Sequence, residues 1–208
     1  MPEAALALYV VYGLLAFGLR SLLQLRATGS AGFHGVGGKV GSAEWLAGAG
    51  FAVAILLGFA APIAALAGLE PIGSGESESL FWAGLVIALA GIAATVVAQI
   101  SMGDSWRIGV DPAERTRLVT VGAFRLVRNP IFAAMIPTAL GLALMVPNVL
   151  AAAGFAGLLI ALELQVRIVE EPYLRVAHGE TYGRYASRVG RFVPGVGRLA
   201  EPARVPER

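Results

Sequence analysis

Arg125-Leu-Val-Arg-Asn-Pro-Ile-Phe132 is the stretch on which the fold depends, because two arginines and a proline stand directly before an apolar run. Pro130 opens that run, and a helix tolerates proline best at its first position. The run continues to Val146. At about 1.5 Å per residue it is short for the ~30 Å hydrocarbon core of a bilayer. The stretch therefore predicts a short membrane helix that begins at a basic border.

The composition of the whole chain excludes a soluble domain. Hydrophobic residues make up 57% of the chain and charged residues 14%, and the mean hydropathy is +0.72. Apolar runs of about 20 residues are typical of bilayer-spanning helices. We therefore predict an all-α integral membrane protein with about five transmembrane helices. They lie at 4–23, 45–69 and 80–100, followed by a short hairpin of 130–146 and 149–162.

The basic residues are confined to one set of connections between these helices. All 16 Lys and Arg lie in 24–44, in 101–129, in the tail after 163 or at the adjoining helix ends, and none lies in 70–79 or 147–148. Basic loops stay in the cytoplasm. Arginine, alanine and glycine have codons rich in G and C, so their abundance is typical of a GC-rich bacterial genome. We therefore predict an inner-membrane protein whose active site and C-terminus are cytoplasmic.

Several classes of site are disfavoured by what the sequence lacks. There is no cysteine, and the two histidines, His34 and His178, lie far apart, so no metal site is predicted. No complete G-x-G-x-x-G motif is present, which excludes a Rossmann-type nucleotide site. An odd number of passes does not suit the paired halves of many transporters. No nucleic-acid partner is predicted.

The fifth apolar run leads into four charged residues. On a regular helix, Glu163, Arg167 and Glu170 fall within ~60° of one another. Glu171 lies at the margin of that face, and Pro172 is expected to break or kink the helix just after it. Ionisable groups near membrane depth are costly. The residues alone therefore leave two interpretations open, a salt-bridge ladder at the membrane border or one wall of an active site.

Beyond the proline the chain is amphipathic. One face is predicted to carry Tyr182, Tyr185, Val189 and Phe192, and the opposite face Arg184, Arg188 and Arg191. Such a segment is typical of an interfacial helix that lies on anionic headgroups. The alternative is a lid over a cofactor, with the tyrosines against an adenine and Arg191 paired to a carboxylate.

The order of these motifs resembles that of a known family. The motifs are Thr120-Val-Gly-Ala-Phe-Arg125, Arg128-Asn-Pro-Ile-Phe132, Glu170-Glu171, and then Tyr182, Tyr185, Arg191 and Pro194. Together they resemble the membrane-embedded isoprenylcysteine carboxyl methyltransferases and their bacterial relatives, which are close to the phospholipid methyltransferases. The resemblance covers the C-terminal half. Asn129 and Phe132 stand where that family more often has histidine and tyrosine.

The resemblance implies methyl transfer from S-adenosylmethionine to a lipophilic or lipid-anchored acceptor, with the carboxylate of an isoprenylcysteine-like substrate favoured. It implies a cofactor site formed by Arg128, Asn129, Pro130, Glu170, Tyr182, Tyr185 and Arg191. Glu170 and Glu171 would bind the cofactor or orient the acceptor. Arg125 or Arg167 would hold a substrate carboxylate, and Arg107 is a further candidate. We predict three regions, namely a membrane region at 1–100, a catalytic region at 101–194 and a disordered tail at 195–208.

Two other functions remain open at this point. One is a sterol-reductase-like membrane enzyme that uses NADPH, since the C-terminal half of such enzymes is similar to this family. The other is a non-enzymatic scaffold or small transporter whose basic tail docks on anionic lipid. Binding of radiolabelled S-adenosylmethionine or NADPH to the purified protein separates these possibilities.

The segregation of basic residues gives a testable membrane topology. A reporter fused after Arg208 should be cytoplasmic, and a cysteine in place of Ser74 should react with a membrane-impermeant reagent from outside. The chain has no other cysteine, so the labelled position is unambiguous. Labelling of Ser74→Cys only after permeabilisation would contradict the five-pass arrangement.

Overall fold

The structure is a computed structural model, which describes residues 1–32, 35–73, 77–106 and 117–200, and the backbone alone of Asp104. The expectations on Ser74 and Arg107 therefore lie outside the described residues. Within those ranges the regular structure is helical and includes one isolated β-bridge. The predicted all-α class is confirmed.

The helical segments follow one another in the order predicted. The first continuous helical path consists of α1 (Pro2–Gly13), a π-helical turn (Leu14–Leu19) and α2 (Arg20–Thr28). Two separate helices follow, α3 (Ala43–Leu66) and α4 (Glu78–Met102). Short 3-10 turns lie at Gly103–Ser105 and Gly122–Arg125. The last path is α5 (Pro130–Met145), α6 (Val149–Leu164), a second π-helical turn (Gln165–Glu170) and α7 (Glu171–Arg188). In the described chain, four helical paths are long and apolar enough to cross a membrane, and α5 is a shorter apolar helix.

The second arm of the predicted hairpin is longer than expected. Its apolar run was predicted to end at 162 and its helix to break or kink after Glu171, yet the helical path continues to Arg188. Glu163 and Arg167 form an i,i+4 ion pair, which lets the helix continue through them. The backbone angles stay helical on both sides of Pro172, so the predicted break is not found there; the π-helical turn directly before this proline is the kind of local adjustment that accommodates a missing N–H within a membrane helix.

The interruption of α7 occurs instead at Gly179. Its backbone has φ 51° and ψ −127°, a conformation that is open to glycine and strained for other residues. Helical geometry resumes after it and continues to Arg188. The kink therefore separates the start of α7, which continues the membrane path, from the part that carries Tyr182 and Tyr185.

Hydrogen bonds between loop residues show which loops lie together at each end of the helix bundle. At one end the backbone N–H of Ile72 donates to the carbonyl of Pro147 at 2.7 Å. Asn148 caps α6 with its side-chain oxygen and donates from Nδ2 to the carbonyl of Ala61 at 2.9 Å. Residues 70–73 and 147–148, which include no basic residue, thus meet at the same end.

The opposite end joins the first helical path to α4 and to the segment before α5. Gln99 Nε2 donates to the carbonyl of Ala16, inside the first π-helical turn, at 2.8 Å. The Arg20 guanidinium donates to the carbonyl of Gly103. The N–H of Ala123 donates to Ser101 Oγ at 3.3 Å, which ties the 3-10 turn before α5 to the end of α4.

Two helix pairs, α4 with α5 and α3 with α6, pack through small residues. A β-carbon on Gly141 of α5 would meet the backbone N of Ala88 and the carbonyl of Gly84 in α4. A β-carbon on Gly154 of α6 would lie 2.8 Å from the backbone N of Gly58 in α3. Close approach of this kind is the usual way in which membrane helices gain packing energy. The α4–α5 contact fixes the position of α5, whose first residue borders the site described below.

The α4–α5 contact gives a prediction about stability. Gly141→Ala should destabilise the protein because its methyl group would overlap backbone atoms, and overpacking of this kind costs about 1–3 kcal/mol or more. The same substitution at Gly157 is the control, since a β-carbon there would lie 3.6 Å from the Ala54 side chain, an ordinary contact. Thermal unfolding in detergent measures both. Equal melting temperatures for the two variants would contradict the backbone contact.

Candidate functional site

Three charged side chains from distant parts of the chain form a buried cluster. Arg128 Nη2 lies 2.7 Å from Glu171 Oε1, and Arg191 donates to the same oxygen from Nε at 2.7 Å. Arg191 Nη2 donates to Glu171 Oε2 at 3.0 Å. The side chains of Arg128, Glu171 and Arg191 are only 2%, 7% and 11% exposed. Charges this deeply buried are stable only when paired and hydrogen-bonded, so Glu171 is the shared counter-ion of the cluster.

Arg128 also caps the C-terminal end of α7. Its Nη1 donates to the carbonyls of Ala186 and Val189 at 3.0 and 2.6 Å, and its Nη2 donates to the carbonyl of Gly197 at 3.0 Å. The last carbonyls of a helix have no partner within the helix, and a cation there is favourable. The guanidinium thus joins the segment before α5 to the end of α7.

The backbone reinforces this junction. Val127 and Gly190 form a parallel β-bridge, and the N–H of Arg128 donates to the carbonyl of Gly190 at 2.8 Å. Asn129 donates to the carbonyl of Arg191 from its backbone N at 3.1 Å and from Nδ2 at 3.2 Å. A β-carbon on Gly190 would meet the carbonyl of Val193, so the turn requires glycine. Asn129 therefore orients the chain after α7 and does not cap α5, whose N-terminus has no side-chain cap.

Arg191 does not lie on the exposed face predicted for it. The helix ends at Arg188, and Val189 is extended, so the helical spacing assumed for Arg191 no longer applies. Arg184 and Arg188 are exposed, whereas Arg191 turns inward to Glu171. The hydrogen bond to Glu171 raises the pKa of Arg191 above its ordinary value. Its guanidinium therefore stays charged throughout the physiological range.

The beginning of the predicted tail also packs against this junction. The N–H of Leu199 donates to the carbonyl of Ala186 at 3.0 Å, and the N–H of Arg191 donates to the carbonyl of Val196 at 2.8 Å. For residues 195–200 the structure thus differs from the expectation of a disordered tail. The remainder of that tail, 201–208, lies outside the described residues.

The two tyrosines share the inner face of α7, as the amphipathic pattern predicts. Tyr182 is 1% exposed, and the centroid of its ring lies 6.3 Å from that of Tyr185. The hydroxyl of Tyr185, which is half-buried, donates to the carbonyl of Phe124 at 2.7 Å. These contacts fasten α7 to the 3-10 turn that precedes Arg128.

The other residues predicted for the site are distributed around the cluster. Pro130 is buried as the first residue of α5, and Glu170 is half-buried as the last residue of the second π-helical turn. Arg125 is exposed. Arg167 is also exposed and pairs with Glu163, so the ladder interpretation applies to that pair. The structure thus brings Arg128, Asn129, Pro130, Glu171, Tyr182 and Arg191 together.

The second π-helical turn moves Glu171, predicted at the margin of the charged face, to the angular position that had been predicted for Glu170. A π turn closes its hydrogen bonds over five residues, so it shifts the residues that follow relative to an α-helix. The prediction assumed ~100° per residue throughout. With the shift, Glu171 is buried against Arg128, while Glu163 and Arg167 stay at the surface. No signal in the sequence marks this turn.

The chemistry of the cluster favours an anionic ligand. In the described ion pairs of the cluster, two guanidinium groups share the single carboxylate of Glu171. Arg128 Nε is buried and has no hydrogen-bond partner in the described chain. A carboxylate or phosphate is the natural partner for such a donor. Within the described ranges, no group of three or more His, Asp or Glu side chains is placed to hold a metal ion.

Comparison with known proteins relates this site to a family. A family model described as phospholipid methyltransferase matches residues 78–181, half of the 208-residue chain. The match begins at the first residue of α4 and ends within α7. It includes Arg128 and Glu171 and stops before Tyr182 and Arg191. No curated protein matches the chain.

The buried cluster gives a prediction about stability. Glu171→Gln keeps the shape of the side chain but leaves two buried guanidinium groups without a counter-ion, which typically costs about 3–5 kcal/mol of unfolding free energy. Glu163→Gln is the matched control, since its pair with Arg167 is exposed and such pairs contribute about 0–1 kcal/mol. Thermal unfolding in detergent compares the two. A melting temperature for Glu171→Gln equal to that of the control would show that the cluster does not stabilise the fold.

Proposed function

Because the chain belongs to the phospholipid methyltransferase family, we propose that it transfers a methyl group from S-adenosylmethionine to a lipid-like acceptor. The observation that carries the proposal is the family match over residues 78–181, which contain both Arg128 and Glu171. Family membership favours methyl transfer over NADPH-dependent reduction and over a scaffold or transport role. By the distribution of basic residues, we place the site on the cytoplasmic side of a bacterial inner membrane.

The side chains at the cluster fit this cofactor by their chemistry. S-adenosylmethionine presents a carboxylate, an amino group, a positively charged sulfur and an adenine ring. The unpartnered Nε–H of Arg128 suits a carboxylate, and the half-buried carboxylate of Glu170 suits a cation. The half-buried ring of Tyr185 suits the adenine. These complementary groups support the cofactor site implied by the sequence motifs.

We assign different roles to the half-buried and to the fully buried residues of the site. Glu170, Tyr185 and Arg191 retain exposed surface and would contact the cofactor directly. Asn129, Pro130 and Tyr182 are buried and would form the floor of the site. Glu171 has hydrogen bonds to both of its oxygens, so it would act as a positioning residue that holds Arg128 and Arg191.

The chain would promote transfer by orientation and by exclusion of water. When bound, S-adenosylmethionine supplies a methyl group on a positively charged sulfur. Pro130 opens an apolar helix directly beside the cluster, and a water-poor site favours a reaction in which opposite charges are neutralised. Arg125 or Arg167, both exposed, would hold the carboxylate or phosphate of the acceptor. Holding the reactants close supplies much of the remaining acceleration.

Two acceptors are the leading candidates, and they differ in the need for a base. The sequence motifs favour the carboxylate of an isoprenylcysteine-like substrate, which has no proton to lose. The description of the matching family favours a phospholipid amine instead. An ammonium group must lose a proton before its nitrogen can attack, and the Glu170 carboxylate would accept that proton.

The proposal is tested with purified protein in nanodiscs and radiolabelled S-adenosylmethionine. The acceptors are a farnesylated thiol acid, the same acid without its chain, and a phosphatidylethanolamine, at equal concentrations. We expect methylation of a chain-bearing acceptor and little of the chain-free one, because each buried methylene contributes ~0.8 kcal/mol. Binding of NADPH in place of S-adenosylmethionine would overturn the proposal.

One variant distinguishes the two acceptor chemistries. Glu170→Gln should lower the rate on an ammonium acceptor by about 10²-fold or more, since it removes the base. A carboxylate acceptor should be methylated with a much smaller loss. Glu180→Gln, whose exposed carboxylate pairs with Arg184, is the control and should change neither rate. Equal losses on both acceptors would show that Glu170 serves cofactor binding alone.

A further inference from the structure

The turn after Arg191 presents apolar side chains and a cation to its surroundings. Val193 and Val196 are 55% and 62% exposed, and the N–H of Val196 donates to the carbonyl of Val193 at 3.0 Å. The Arg198 guanidinium folds back, with Nη2 3.4 Å from where a β-carbon on Gly195 would lie. We call residues 193–198 the C-terminal turn. Exposed valines beside an arginine are typical of a surface that enters a membrane interface.

The C-terminal turn lies close to the membrane border. Arg128 and Asn129 donate from their backbone nitrogens to the carbonyls of Gly190 and Arg191, and the apolar helix α5 begins at the next residue, Pro130. Val193 follows Arg191 by two residues, which allows at most about 7 Å of separation along the chain. Leu126, which is 64% exposed, lies four residues before Pro130. The turn and Leu126 thus lie near the N-terminal end of α5.

Three exposed arginines near this surface have no ion pair within the described ranges. In the described part of the chain, no carboxylate lies within ion-pair distance of Arg125, Arg188 or Arg198, and all three are exposed. Arg184, by contrast, pairs with Glu180. Unpaired arginines at a membrane border attract anionic lipids. Charge and apolar exposure therefore point to the same partner.

We propose that the C-terminal turn and Leu126 enter the headgroup region of the membrane that holds the helices, with Arg188 and Arg198 bound to phosphates of anionic phospholipids. The membrane then holds the segment that covers the Arg128–Glu171–Arg191 cluster. This docking is a property of the surface and does not depend on methyl transfer. It therefore stands or falls separately from the proposed function.

The absence of cysteine makes a site-specific depth measurement direct. Val193→Cys is labelled with a fluorophore and placed in nanodiscs that contain anionic phospholipid and a lipid with a spin label near its headgroup. Glu180→Cys, at an exposed carboxylate that the proposal leaves in water, is the control. We expect quenching at position 193 to exceed that at position 180 several-fold. Equal quenching at the two positions would overturn the proposal.

A second comparison tests the contribution of anionic lipid. Nanodiscs of zwitterionic lipid alone, or the double variant Arg188→Gln/Arg198→Gln, should weaken quenching at position 193. The ratio of docked to undocked turns should fall about fivefold for each arginine removed. The double variant Glu180→Gln/Arg184→Gln removes an ion pair without a change in net charge and should have no effect. Full quenching in zwitterionic nanodiscs and in the arginine double variant would refute the anionic-lipid contact.

Discussion

The ion pair between Arg128 and Glu171 joins the start of α5 to the start of α7, and the neighbouring segments are held in place around it. Transfer of a guanidinium out of water costs several kcal/mol, so a buried arginine must find acceptors for its donors. Arg128 finds three of them in carbonyls at the end of α7 and in the segment beyond. The need to satisfy one buried cation thus draws together segments that are far apart in sequence.

The helix bundle supplies the rigid base for this arrangement. Small residues let α4 and α5 pack closely, so the first turn of α5 has little freedom to move. The carbonyl of Phe124 and the hydroxyl of Tyr185 then hold α7 against the segment before α5.

The fold was largely predictable because long apolar runs have few alternatives to membrane helices. The cluster was predictable only in part. Arg128 and Glu171 were singled out by their motifs, but the inward turn of Arg191 depends on where α7 ends, which helical periodicity does not reveal. The π-helical turn before Glu171 and the carbonyl partners of Arg128 depend on tertiary contacts. Pro172 misled the prediction because the π-helical turn before it, which the sequence does not mark, accommodates its missing N–H.

The cluster also has a consequence for biosynthesis. A chain is made from its N-terminus, and its domains generally fold in that order. Arg128 and Glu171 therefore leave the ribosome before Arg191 and before Gly197, whose carbonyl accepts from Arg128. Until these last residues emerge, Arg128 lacks part of its hydrogen-bond set and Glu171 lacks its second cation. The membrane helices can thus insert early, whereas the site is completed only after Gly197 has emerged. A nascent chain that stalls before Gly197 would carry an assembled bundle and an unfinished site.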